Sequence, residues 1–221
     1  MRLRLYSLLA LTALCVGTAA ADPVFFSTGN TDGKIATASR PSTGAFEIET
    51  GDDFVLSTQT ALHSATFVGL LTGGATPADI GEVRVEVYRV FPKDSDIGRT
   101  SGAPTFSTSQ VPTRVNSPSD VALDDRDSSG GLTFTTTPLG STFTANNSVQ
   151  PGGIHPKPGQ TTGGDGAITG EEVQFNVTFS TLFDLPADHY FFIPQVEVTG
   201  GEFLWLSAPR PIVPPGTPSA R

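Results

Sequence analysis

The chain has 221 residues, 13 basic and 22 acidic side chains and a formal net charge of −9. It carries no basic stripe, so a phosphate-attracting surface, and with it nucleic acid as a partner, is excluded. A single cysteine, Cys15, excludes a disulfide framework, and the length suits one domain with a sizeable core of its own.

Arg2 and Arg4 precede an apolar run from Leu8 to Val16, and Ala19-Ala20-Ala21 supplies a small-residue cleavage site ahead of Asp22. This is the pattern of an export leader over residues 1–21. The run is too short to span a bilayer and no second long apolar stretch follows, so the expected product is secreted, extracellular or at the cell surface, with no membrane span in the mature chain. Cys15 leaves with the leader, and Leu14 stands where a lipid-anchored leader has Gly or Ala. Loss of Arg2 and Arg4 takes the mature charge to about −11. Solubility is the first consequence of that charge, and attraction for calcium the second.

Beyond the leader, apolar residues recur at period two and turn residues punctuate them about every ten positions, which predicts strands rather than helices. Val24 to Ser27 and Ala45 to Glu49 are short strand candidates around a polar loop. Asp52 to Leu56 follows, then Ala61 to Leu71, apolar on both faces as a central strand is. In Val83, Val85 and Val87 the inward set alternates with Arg84, Glu86 and Arg89 on or near the outer face, so this strand has one wet face, and the alternation breaks at Val90-Phe91 before Pro92.

Gly98 to Ser109 reads as a loop. Val111 to Val115 and Ser119 to Leu123 are weak strands, and Asp124 to Asp127 with Gly130-Gly131 reads as an acidic turn. Leu132 to Thr137 and Phe143 to Val149 are further strands. Residues 150–170 hold too little apolar area to pack and predict a mobile surface loop or a lid. Glu171 to Phe179 places Val173, Phe175, Val177 and Phe179 inward. Gly200-Gly201 reads as a two-residue hairpin turn that sets Val198 opposite Phe203 and Val196 opposite Trp205, one coherent apolar face. The proline-rich residues 209–221 run extended along the surface. The expected architecture is an all-β antiparallel sandwich, jelly-roll-like, over residues 22–208.

Three constellations could carry chemistry. Asp94-Ser95-Asp96-Ile97-Gly98 has the carboxylate spacing of a calcium loop, but Gly98 stands at the third ligand place and Thr105 where an EF-hand needs a bidentate Glu, so an EF-hand is excluded. A looser calcium site would join Asp94 and Asp96 to Asp124, Asp125 or Asp127 at one end of the sandwich; the alternative is solvated turn carboxylates capping backbone amides. Asp52-Asp53 and Glu171-Glu172 could supply the two acids of a glycoside hydrolase, although neighbours in a strand point to opposite sides. Trp205 and Tyr190 are the candidate sugar platforms, with the hairpin register placing Trp205 on the apolar face and leaving Tyr88 the better exposed aromatic. His63, His155 and His189 are too dispersed for zinc, and no nucleophile motif accompanies them.

The runs ETGDDFVLSTQTALHSATFVGLL (Glu49 to Leu71) and VRVEVYRVFP (Val83 to Pro92), with FDLPADHYFFIPQVEV and GEFLWLSAP, resemble exported bacterial β-sandwich proteins of uncharacterised function. Several of that group end in sorting signals of the PEP-CTERM type, and no such tail is expected here. The resemblance implies fold and compartment, and carries over no catalytic residues. The expectation is a non-catalytic exported module, structural or binding, associated with the cell envelope and needing no cofactor. Its expected partner is an extracellular polysaccharide or an envelope component; a carbohydrate-binding module, calcium-stabilised, is the alternative, and a glycoside hydrolase the second.

Overall fold

The computed structural model describes residues 24–95, 117–153 and 163–209. The leader, Asp96, the loop and strand expected over 98–115, His155 and nearly all of the proline-rich tail lie outside the described residues.

Eleven strands form among the described residues: β1 Val24–Ser27, β2 Ile35–Ala38, β3 Asp52–Leu56, β4 Thr60–Leu71, β5 Ile80–Arg89, β6 Asp124–Asp127, β7 Leu132–Ala145, β8 Asn147–Val149, β9 Ile168–Leu185, β10 Asp188–Val198 and β11 Phe203–Leu206. No α-helix occurs among the described residues. The expected antiparallel sandwich is what they build. Seven strands make one sheet in the order β7-β9-β4-β11-β2-β8, with β1 also on β4, and four make the other, β3-β10-β5-β6. Among the described residues only the β1–β4 and β2–β8 pairs are parallel.

The core between the sheets follows from the period-two pattern. Val83, Val85 and Val87 of β5 are fully buried and face Phe67, Val173, Phe175 and Val177 of the large sheet. Phenylalanines fill the core: Phe26 stacks across the layers on Phe192 with ring centroids 4.0 Å apart, and within the large sheet Phe67 stacks on Phe175 at 5.0 Å with Phe203 edge-on to both. In β4 the register shifts between Leu62 and Ser64, which is why Leu62 and Ala65 share the core face despite odd spacing. Gly69 lies on that face because nothing larger fits. A Cβ there would stand 2.8 Å from the Leu204 carbonyl oxygen and 2.7 Å from Cζ of Phe203.

Four expectations change. The Gly200-Gly201 segment is not a hairpin, since β10 and β11 belong to different sheets. Both edges of β10 are already paired, with β3 and β5, so β11 has no ladder left there and inserts between β4 and β2. Thr199 donates to the Asp79 carbonyl and Thr72 to that of Glu202, which draws the connection over the β4–β5 turn. Val196, Phe203 and Trp205 still share the core, across the sheets instead of side by side. Second, Asp124–Asp127 is a strand, paired with Val87 to Arg84; its charges blunt an edge of the small sheet. Third, Ala45 to Glu49 is irregular with one bridge, Arg40 to Ile48, whereas β2 arises inside the segment read as a polar loop. Fourth, the ends of the 150–170 loop are tied down: Ser148 donates to the Gly166 carbonyl, Gln150 N–H to Asp165, and Asn147 to the Gly163 carbonyl. Residues 154–162 between them lie outside the described residues.

Candidate functional site

Of the expected calcium ligands, Asp94 lies just beyond β5 at φ 52° and is gripped bidentately by the Arg89 guanidinium. That grip holds its carboxyl below the usual range. Asp124 pairs with Arg126, and Asp127 accepts from the Ser129 hydroxyl and amide, which lowers its pKa. Asp125 lies opposite Glu86 on β6. The described members of this set form no group of three carboxylates within ligating distance of one another. Asp96 lies outside the described residues.

The sugar platforms are internal. Tyr190 is fully buried and its hydroxyl donates to the Pro186 carbonyl at 2.9 Å. Burial pushes its phenol up to about 12. Trp205 is 5 % exposed and packs edge-on to Phe192. Tyr88 is also buried, contrary to its reading as a wet-face aromatic, because the β2–β3 connection covers the outer face of the small sheet. The four acids considered for glycoside hydrolysis are split between sheets, Asp52 and Asp53 on β3 and Glu171 and Glu172 on β9. Asp53 is buried and takes its place 2.7 Å from Nε2 of His189, whose ring stacks on Phe191. Glu172 accepts from the Thr31 hydroxyl at 2.7 Å. His63 lies half-buried at the β4 register shift.

Two places do bring functional groups together. One is a cavity of about 190 Å³ where β2 and β11 of the large sheet meet the start of β3. Hydroxyl-bearing Thr28, Thr37, Thr50 and Ser207 line it, with Asp52 and Trp205. The indole Nε1–H of Trp205 is buried with no hydrogen-bond partner. Such a donor ordinarily finds an acceptor.

The other is a cluster on the outer face of the small sheet. Residues 39–51 cross that face: the Ser39 hydroxyl donates to the Pro194 carbonyl at 2.6 Å, and Val196 N–H to the Ser39 carbonyl at 3.2 Å. The crossing sets Glu47 and Glu49 beside Glu86 of β5, with a carboxylate oxygen of each within 4.8 Å of the others. Glu86 is 7 % exposed. The Tyr88 hydroxyl reaches Glu49 at 2.7 Å and Glu86 at 3.2 Å, and the fully buried Gln195 donates from Nε2 to Glu47 at 3.1 Å. Burial, reinforced by the charges of Glu49 and Glu47, pushes the Glu86 carboxyl up to about 7. Arg84 offsets this weakly, at 3.8 Å from Glu86, because its guanidinium is also held by Glu82 at 3.1 Å.

Reading residues in order finds Trp205 but not its setting, and it misses Glu47, Glu49 and Gln195. The only available signal is the alternation Phe46-Glu47-Ile48-Glu49, which puts both acids on one side. Comparison with protein families, with curated proteins and with solved structures finds no match for this chain.

Proposed function

We propose that this chain is an exported, non-catalytic β-sandwich module that holds a small hydroxylated ligand, a sugar residue of an extracellular polysaccharide being the class whose chemistry suits the cavity. The observation that carries the reading is the lining of the cavity, threonine and serine hydroxyls and a carboxylate beside Trp205. A sugar presents ring C–H faces to an indole and hydroxyls to such a lining. Asp52 is the one carboxylate of that lining among the described residues, whereas glycoside hydrolysis needs two flanking the bond. This supports binding over cleavage. The export half of the proposal rests on the leader-like residues 1–21.

Trp205 is the only tryptophan, so its fluorescence reports on the cavity directly. Titration with a panel of mono- and oligosaccharides is expected to give a saturable change for one sugar class. Thr37→Leu, which fills the space beside the indole at the position directly opposite Trp205, is expected to abolish that change. No saturable change with any sugar at millimolar concentration removes the binding reading and leaves a structural module of the envelope.

A further inference from the structure

The large sheet ends on β7, which pairs with β9 and, among the described residues, with no strand on its other side. Proteins blunt such edges by charge or by brevity. The other three sheet ends follow that rule: β6 carries Asp124, Asp125 and Asp127, β3 begins with Asp52 and Asp53, and β8 has three residues. β7 is the exception, since its 14 residues, LTFTTTPLGSTFTA, hold no charge. Gln174, Asn176 and Thr178, opposite Thr137, Thr135 and Thr133 on β9, are uncharged as well.

Backbone hydrogen bonds fix which groups of this edge are free. The Ser180 amide donates to the Gly131 carbonyl at 2.9 Å, which turns that carbonyl toward β9. Along an antiparallel strand the N–H and C=O groups face the partner at every second residue, so Thr133, Thr135 and Thr137 direct theirs to β9. The far side of β9 has the same phase: Thr66, opposite Asn176, gives its carbonyl to the Thr28 amide, so Asn176 bonds to its β7 partner Thr135. Leu132, Phe134 and Thr136 therefore direct theirs to the open side. Pro138 continues that series, and the N–H it lacks is absent from the open side, at no cost to the β9 ladder. The register runs unshifted from Leu132 to Pro138 and slips beyond it, which makes 132–137 the flat part of the edge.

A second copy of the same edge fits this pattern. Set antiparallel about a twofold axis at Phe134, Leu132 meets Thr136 of the second copy and the two Phe134 residues meet each other. Every free N–H and C=O of the flat stretch is then paired, in about six bonds. Thr133 falls opposite Thr135, and Thr–Thr pairs stabilise antiparallel sheets. Phe134, only partly buried against the core, gains a ring across the axis. A chain of net charge −9 repels its own copy, and an uncharged edge is where that repulsion is least.

We propose that β7 is a self-association edge, through which two copies of this chain join by residues 132–137 into one sheet continuous across a twofold axis. The edge contributes no residue to the lining of the Trp205 cavity, so the proposal does not depend on the sugar-binding reading.

The test is sedimentation equilibrium of the full mature chain. Its weight-average mass is expected to rise with concentration toward twice the monomer value, with a Kd on the order of 10⁻⁵–10⁻⁴ M for an interface this small. Raising NaCl from about 50 to about 500 mM is expected to tighten the dimer by screening the net repulsion, the opposite of a salt-bridged interface. Thr135→Lys sets like charges beside the axis, and Thr136→Pro removes an N–H that β9 does not use. Each is expected to keep the wild-type circular dichroism spectrum and to weaken dimerisation at least about tenfold. Amide exchange followed by NMR identifies the edge itself. Leu132, Phe134 and Thr136 are expected to gain protection as concentration rises, with Thr133, Thr135 and Thr137 protected throughout. A mass that stays monomeric up to about 1 mM overturns the proposal, as does a dimer that survives both substitutions. Protection of Leu132, Phe134 and Thr136 that is independent of concentration also overturns it, by showing that another segment of the same chain covers the edge.

Discussion

Glu86 is expected to make this protein less stable at pH 8 than at pH 5 in the absence of divalent cations. Its folded-state pKa is pushed up to about 7 from an ordinary 4.5, first by burial and then by the charges of Glu49 and Glu47. Between those two values the folded chain retains a proton that the unfolded chain has released. Stability from this group therefore falls as pH rises from about 4.5 to 7 and is flat above. The displacement converts to about 3 kcal/mol, with little discount for solvent because the residue is 7 % exposed. Carboxylates with lowered values, Asp94 and Asp127 among them, act the other way and only at more acid pH, where their partners cease to hold them ionised. The assay is urea unfolding of wild type and Glu86→Gln in EDTA at pH 5 and pH 8. Glutamine keeps the shape and still accepts from Tyr88, and the comparison subtracts every other group that titrates in the window. The variant is expected to match the wild type near pH 5 and to exceed it by about 3 kcal/mol at pH 8. A difference that does not grow between those two pH values, or grows with the opposite sign, refutes the assignment of burial as the dominant cause.

Gly69→Ala is expected to cost at least about 3 kcal/mol, since the new methyl meets the Phe203 ring and a backbone carbonyl that cannot retreat. Adding Phe203→Leu is expected to recover part of that loss, the share due to the ring, in a double-mutant cycle read by urea unfolding. Arg126 lies over the Phe183 ring at 4.5 Å, donates to the Thr181 and Leu182 carbonyls and pairs with Asp124. Arg126→Met should therefore destabilise by about 0.5–1.5 kcal/mol through the lost hydrogen bonds, the freed carbonyls being open to water, and Arg126→Lys should restore less than half of it, as a point charge cannot reproduce the fork.

Strand identity was legible along the chain because it is local. Alternation in Val83 to Val87 and Val173 to Phe179 states which side chains face inward, and the structure buries those residues. Apolar character on both faces of Ala61 to Leu71 likewise announced a central strand, and β4 is one. Local patterning is silent about which strand pairs with which. Gly200-Gly201 has the residues of a hairpin turn, yet β10 had no free edge to offer, so the chain crossed to the other sheet.

The candidate sites divide in the same way. Trp205 could be singled out by residue type, but whether its ring faces solvent, core or cavity depends on β2, β3 and β11 meeting, and those are distant in sequence. Tyr88 and Glu86 alternate with the core valines and so read as solvent-facing. Only the 39–51 crossing, held by Ser39 on the Pro194 carbonyl, turns that face inward and delivers Glu47 and Glu49 to it. The sequence by itself thus determined the period-two strands, the acidic balance and the inward residues, each a property of neighbours along the chain. Tertiary structure alone decided sheet membership, the cavity beside Trp205 and the convergence of three glutamates, because burial and like-charge contact depend on segments that only the folded sandwich brings together.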